Sequence, residues 1–70
     1  MELSLIACRA NVRMTREQFA QEVGVTPGTI ANWENGKTEP SLSHLRKISE
    51  ITKIPIDNIA VGNFNLNGNS

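Results

Sequence analysis

The segment 15–37 constrains the fold most, because it carries start and stop signals for two short helices. Thr15 is a favoured N-cap, and Gln18 follows it at the spacing of a capping box. Gly24 predicts the end of this first helix, since glycine readily takes the left-handed conformation found at helix C-termini. The helix would bury a narrow apolar stripe, consisting of Phe19, Ala20 and Val23.

A second helix start follows at once. Thr26 is a favoured N-cap, and Pro27 suits the first helical position, where its missing N–H costs nothing. This helix would bury Ile30 and Trp33 and end at Asn35-Gly36. The segment therefore predicts two short helices joined by a tight turn.

Two such helices have the geometry of a helix-turn-helix, in which the second helix can enter the major groove of DNA. A generic helical hairpin would carry the same caps and glycine, so the outer face is more informative. That face consists of short residues, Gly28, Thr29, Ala31 and Asn32, and the helix ends carry Thr26, Asn35 and Lys37. These end residues suit phosphate contact, which favours a DNA-binding surface.

Length and composition limit the alternatives. Seventy residues make one domain, which buries only about 60% of its unfolded surface and should be modestly stable. With a single cysteine, Cys8, and a single histidine, His44, no internal disulfide or zinc site around them is expected. No apolar stretch approaches the roughly 20 residues that span a bilayer. We therefore expect a cytoplasmic protein without membrane contact, in which Cys8 fills the core rather than acting as a reactive thiol.

The charge balance counts against nucleic-acid binding. Seven basic and seven acidic residues give a formal charge of zero, whereas DNA-binding domains usually have a basic footprint. The charges segregate in part: Arg9, Arg13, Arg16 and Lys37 lie in or beside the segment 15–37, although Glu17, Glu22 and Glu39 flank it too. This predicts modest non-specific affinity for DNA.

Three further helices are predicted outside the segment. The first spans Leu3 to Asn11, with Leu5, Ile6 and Ala10 as its buried stripe and Cys8, Arg9 and Val12 at the margins. The next spans Leu42 to Thr52 after the cap Ser41, with apolar residues Leu42, Leu45, Ile48 and Ile51, and ends at Lys53. The last is short, from Pro55 to Ala60, and is supported by Ile56 and Ile59.

Residues 61–70 are rich in asparagine and glycine, and we separate them as a tail from the domain 1–60. A frayed end is one interpretation. Because Phe64 and Leu66 alternate as in a strand, the other is an extended arm that covers a partner subunit.

The order of these pieces resembles the Cro/repressor-type (Xre-like) helix-turn-helix domain of phage and bacterial regulators. The resemblance covers about Leu5 to Ile59 and is carried by MTREQFA (14–20), GVT (24–26), IANWENGK (30–37), PSL (40–42) and IPID (54–57). It implies an all-α, five-helix bundle of the lambda-repressor-like type that binds operator DNA, usually as a two-fold dimer.

The resemblance also implies roles for individual residues. Base contacts would come from Gly28, Thr29, Asn32 and Arg16, and phosphate contacts from Thr26, Asn35, Lys37 and Arg13. Asn32 is the best candidate for direct readout, because asparagine can make a bidentate pair with adenine. Thr29 could offer its hydroxyl, or its methyl to a thymine.

Glu34 is expected to pair with a basic side chain, because an unpaired carboxylate near the DNA phosphates would repel them. In the family pattern Arg9 occupies the matching position, so we predict an Arg9–Glu34 ion pair that fastens the first helix to the recognition helix. The alternative is two independent, solvated charges.

The chain departs from the pattern in two places. Pro27 and Gly28 stand where many members place longer polar residues, so base specificity would depend on Thr29, Asn32 and Arg16, or on DNA shape. Thr52 and Lys53 stand where the pattern prefers an apolar residue and a glycine, which weakens the expected turn.

Two classes of function remain open from the sequence. The first is a dimeric, sequence-specific regulator, a repressor, that reads its operator with the helix Pro27–Asn35. The second is a non-catalytic protein-interaction module or an antitoxin, with the tail serving a protein partner. No nucleophile–base spacing and no phosphate loop supports an enzyme or a cofactor. If the protein is a homodimer, its interface is predicted at Ile54, Ile56, Ile59 and Phe64.

Overall fold

The computed structural model describes residues 2–60, which form four α-helices, a 3-10 turn and a two-stranded sheet. In chain order these are β1 (Leu3–Ser4), α1 (Leu5–Asn11), α2 (Arg16–Val23), α3 (Pro27–Glu34), α4 (Leu42–Thr52), a 3-10 helix (Ile56–Asn58) and β2 (Ile59–Ala60). The described residues are therefore mostly helical, as expected. The expectation of five helices is wrong, because the last predicted helix is a 3-10 turn followed by a strand.

Each of the four described helices begins with a side-chain cap, and three of these caps occur where the sequence predicts them. Thr15 accepts from the Gln18 N–H at 3.1 Å while the Gln18 side chain accepts from the Thr15 N–H at 2.9 Å, which completes the capping box. Thr26 caps α3 by accepting from the Thr29 N–H, and Ser41 caps α4 by accepting from the His44 N–H. The prediction for α1 is wrong by two residues, since Ser4 caps this helix by accepting from the Ala7 N–H.

The buried core contains the apolar residues that the segment 15–37 is predicted to bury. Its buried members are Leu5, Cys8, Phe19, Ala20, Val23, Ile30, Trp33, Ile48, Ile54 and Ile59. The predicted stripe of α1 is confirmed for Leu5 and wrong for its other two residues, because Ile6 is 47% exposed and Ala10 is exposed as well. At 100° per residue, Leu5 and Cys8 share the inward side of this two-turn helix, which turns Ile6 and Ala10 outward. Leu42 was predicted on the inner face of α4, but it lies in the first turn and is 56% exposed.

The two ends of the described chain meet in a small parallel sheet. Leu3 pairs with Ile59 and Ser4 with Ala60. Pro55 is extended (φ −57°, ψ 144°) and Ile59 is extended too, so the predicted helix 55–60 does not form. The sheet closes the core beneath α1, and Ile59 is buried there.

The turn after α4 contains a lysine at a position where glycine would be more favourable. Lys53 adopts φ 63°, in the left-handed region that favours glycine. Hydroxyl groups support the turn instead: Thr52 donates to the Ile48 carbonyl and accepts from the Ile54 N–H, and Ser49 donates to the Ile54 carbonyl. These bonds tie the end of α4 to the segment that follows it.

Cys8 is a core residue, as predicted, and its side chain is fully buried. Desolvation raises the pKa of the Cys8 thiol, outweighing a backbone hydrogen bond that lowers it. A thiol with a raised pKa is a poor nucleophile, because the thiolate is the reactive form. Within residues 2–60, no helix is long and apolar enough to cross a membrane.

Candidate nucleic-acid interface

One side of helix α3 packs against the core, and the opposite side is exposed. Ile30 and Trp33 point into the core, and the Trp33 ring lies 5.2 Å from the His44 ring of α4. On the opposite side Gly28 and Asn32 are exposed, and Thr29 and Ala31 are half-buried. The outer side is thus a surface of short side chains on a rigidly packed helix, at the positions that the sequence predicts.

The turn between α2 and α3 fixes the angle at which α3 leaves the hairpin. Gly24 adopts φ 92°, and its N–H and that of Val25 both donate to the Ala20 carbonyl, at 2.8 and 2.9 Å. A Cβ at Gly24 would meet nothing within 4 Å, so the backbone conformation, rather than lack of space, requires glycine.

The loop after α3 is tied back to the helix. Gly36 adopts φ 79°, and the Lys37 N–H donates to the Asn32 carbonyl at 2.9 Å. This bond keeps exposed Lys37 beside the C-terminal end of α3, where exposed Asn35 also lies. At the other end exposed Thr26 caps the helix. Thr26 at one end of α3 and Asn35 and Lys37 at the other therefore bracket the residues of this helix that are predicted to read bases, whereas Arg13 and Arg16 lie outside α3.

Glu34 binds two arginines. The Arg9 Nε donates to its Oε2 and the Arg16 Nε to its Oε1, each at 2.8 Å, and the Glu34 side chain has no exposed surface. Arg9 also donates to the Met14 carbonyl at 3.0 Å. The predicted Arg9–Glu34 ion pair is therefore present and connects α1 to α3. The share that Arg16 takes was not predicted, because the sequence does not reveal that the start of α2 reaches the end of α3.

The two arginines differ in exposure. The Arg9 side chain is 19% exposed, whereas that of Arg16 is 45% exposed. Within the described residues Arg16 makes its one hydrogen bond through Nε, and its two terminal nitrogens make none. Glu34 thus holds one arginine for packing and orients a second one at the surface.

Thr29 has a hydroxyl with a partner. Its Oγ1 lies 3.0 Å from the Oγ1 of Thr26, which also accepts from the Thr29 N–H at 3.3 Å. The side chain of Thr29 is therefore turned back towards the start of α3. The sequence left open which end of this side chain is presented outward.

Arg13 is exposed and has a backbone φ of 58°, in the left-handed region. Its N–H donates to the Ala10 carbonyl at 3.0 Å, which closes the turn after α1. Arg13, Arg16 and Lys37 thus lie on the surface close in sequence to the ends of α2 and α3. Glu17, Glu22 and Glu39 are exposed as well, in keeping with the balanced charge.

The residues predicted for a dimer interface have different surroundings. Ile54 and Ile59 are each 8% exposed and belong to the core of the single chain, so they offer little surface to a second copy. Ile56 is half-buried. Phe64 and Leu66 lie outside the described residues.

Comparisons with known proteins agree with this geometry. A family model described as "Helix-turn-helix" matches residues 5–59. An uncharacterized HTH-type transcriptional regulator of Haemophilus influenzae is 44% identical over 45 residues, which are 64% of this chain and 19% of that protein. The HTH-type transcriptional activator BcrR of Enterococcus faecalis is 33% identical over 54 residues, 77% of this chain and 26% of that protein.

No solved structure matches. The chain spans about a fifth to a quarter of the length of these curated relatives. The family match covers most of the chain, and the caps, the turn glycine and the buried apolar stripe occur where that motif requires them. The chain therefore belongs to the Xre-like helix-turn-helix family of transcriptional regulators.

Proposed function

We propose that this chain is a sequence-specific regulator that reads operator DNA in the major groove with α3. The observation that carries the proposal is the division of α3 into a buried side, with Ile30 and Trp33, and an outer side of short residues with exposed polar groups at both ends of the helix. Short side chains let the helix approach the base edges, and rigid packing fixes its register.

Within this proposal Asn32 makes the main base contact. Asn32 is exposed on the outer side, and its amide can donate to N7 and accept from the N6 amino group of one adenine. Arg16, oriented by Glu34, makes a second base contact, and Gly28 and Thr29 complete the base-reading edge. Thr26, Asn35, Lys37 and Arg13 bind phosphates around them.

We further propose that two copies bind a partly palindromic site with half-sites about one helical turn, or 34–36 Å, apart. A single small module covers only a few base pairs, and a second copy doubles the contact. Since Ile54 and Ile59 are in the core, the contact between copies would involve half-buried Ile56 and its exposed neighbours. Sedimentation of the protein alone and with a selected duplex would measure both states, and a single copy on DNA would contradict the dimer.

Repression is the regulatory outcome that we propose, because a protein bound at an operator blocks other proteins from that DNA. A reporter gene placed behind the selected site tests it. Expression should fall when the protein is produced, and a rise would mean activation, the activity named for the E. faecalis relative.

The test of DNA binding is selection of bound duplexes from a random pool, with wild type, Asn32→Ala and Lys37→Ala in parallel. Asn32→Ala should relax the preference at one base position, because it removes a bidentate pair worth about 1–3 kcal/mol. Lys37→Ala should weaken all sequences alike and reduce the salt dependence by about one phosphate contact.

The matched control is Lys47→Ala, which removes an exposed lysine from α4, outside the proposed surface. It should leave selection and salt dependence unchanged. If no sequence is enriched and binding does not depend on salt, the proposal fails. The balanced charge would then favour a protein-interaction module on the same fold.

A further inference from the structure

The start of α3 carries a detail that the proposed function leaves unused. The Thr29 hydroxyl is hydrogen-bonded to the Thr26 hydroxyl at 3.0 Å, and the Thr26 hydroxyl also caps the helix through the Thr29 N–H. A hydroxyl that reached for a base would have to leave or share this bond. The polar end of the Thr29 side chain is therefore directed along the helix towards its cap.

The methyl group of Thr29 has a different direction. Because Cβ is tetrahedral, the methyl cannot occupy the direction that the hydroxyl takes, and staggered wells fix both groups together. Thr29 is only half-buried, so its side chain retains exposed surface. The side chain of this residue is held in one orientation, with its hydrogen-bonding end turned back towards the cap.

Gly28, which precedes Thr29 in the first turn of α3, leaves the leading edge of this helix without a side chain at that position. A Cβ built at Gly28 would meet only the Thr26 Oγ1, at 3.9 Å, which is an ordinary contact, and its φ is not positive. Neither space nor backbone conformation within the chain requires a glycine here, and glycine is an unfavourable helix residue. A close approach by something outside the chain is what a missing side chain allows.

From the Thr26–Thr29 hydroxyl bond and the open edge at Gly28, we infer that Thr29 reads a pyrimidine 5-methyl group through its own methyl, and not a base through its hydroxyl. Thymine and 5-methylcytosine both present this group in the major groove, and apolar side chains contact it there. The inference rests on the proposed function and names the base feature that the leading edge of α3 recognises.

The test uses the duplex enriched by selection and replaces its thymines, one position at a time, with deoxyuridine. This removes only the 5-methyl group. At one position in each half-site, wild type should bind about three- to fivefold more weakly, the size expected for burial of one methyl group. At the same position, cytosine should also bind more weakly than thymine, and 5-methylcytosine should recover part of that loss because it restores the 5-methyl group.

Two variants of Thr29 separate its two ends. Thr29→Val keeps a methyl and removes the hydroxyl, so it should still distinguish thymine from uracil. Thr29→Ser keeps the hydroxyl and removes the methyl, so it should bind both duplexes equally. Thr38→Ser, at an exposed threonine outside α3, is the matched control and should bind like wild type.

Gly28→Ala tests the open edge. It should fold with an unchanged or higher melting temperature and still bind the enriched duplex at least tenfold more weakly. The inference is overturned if no uracil substitution matters, or if Thr29→Val loses the thymine preference while Thr29→Ser keeps it. A protein that enriches no duplex at all would instead overturn the proposed function, and this inference with it.

Discussion

The two sides of α3 do different work. The inner side is built from large or charged groups with many partners: Ile30 and Trp33 in the core, and Glu34 between two arginines. The outer side is built from short residues, of which Thr29 is hydrogen-bonded to the cap Thr26. The difference predicts that substitutions on the inner side change stability and that substitutions on the outer side change the proposed DNA recognition, although both sides belong to one eight-residue helix.

The largest expected effect lies on the inner side. Trp33→Ala removes a buried indole ring and its contact with His44, which should lower the free energy of unfolding by about 3–5 kcal/mol. In a domain this small, that is enough to populate the unfolded state. Thermal melting followed by circular dichroism measures it, with Leu42→Ala as the control. Leu42 is an exposed leucine whose loss should change stability by less than about 0.5 kcal/mol.

Arg9→Met tests the fastening between α1 and α3. Methionine keeps most of the apolar stem, but the hydrogen bonds to Glu34 and to the Met14 carbonyl are lost. Hydrogen bonds to charged groups are worth about 1.5–3 kcal/mol, and urea unfolding should show a loss in that range. Unchanged stability together with unchanged affinity for the selected duplex would mean that the pair has no importance.

Arg16→Met sharpens the comparison, because Arg16 shares Glu34 with Arg9 but is far more exposed. Because the Arg16 side chain is 45% exposed and Glu34 keeps its bond to Arg9, the free energy of unfolding should fall by less than it does for Arg9→Met. Base preference at one position should relax, because the oriented guanidinium is lost from the surface. Selection of duplexes with the variant measures this, and equal weakening of all sequences would make Arg16 a phosphate contact instead.

Arg13→Gly and Lys53→Gly form the smallest and most closely matched pair. Both remove a non-glycine residue from the left-handed region, and each should raise the free energy of unfolding by at most about 1 kcal/mol. Only Arg13→Gly should also weaken DNA binding and reduce its salt dependence, by about one phosphate contact. Equal effects of the two variants on binding would remove Arg13 from the interface.

The parts that the sequence predicts best are those determined locally. The caps at Thr15, Thr26 and Ser41 and the left-handed Gly24 depend on residues three or four positions away, and each occurs as predicted. Short-range chemistry therefore located α2, α3 and α4, and with them the outer side of α3. The Arg9–Glu34 pair was predicted only through the family resemblance.

The parts that were missed depend on distant contacts. Nothing local indicates that Leu3 pairs with Ile59, because two-residue strands are too short to show alternation. Helix α1 spans barely two turns, so its apolar residues did not determine which side faces inward. Arg16 was placed on the DNA side, but its bond to Glu34 requires knowing how the start of α2 approaches the end of α3.

The central claim is that the outer side of α3 reads bases through Asn32. A double-mutant cycle tests it most directly: wild type and Asn32→Ala are each titrated with the enriched duplex and with duplexes in which one adenine at a time is replaced by 7-deazaadenine, which lacks the N7 acceptor. At one adenine per half-site, wild type should lose affinity on replacement while Asn32→Ala should not, with both proteins melting at the same temperature. Equal losses for the two proteins at every adenine would contradict the account.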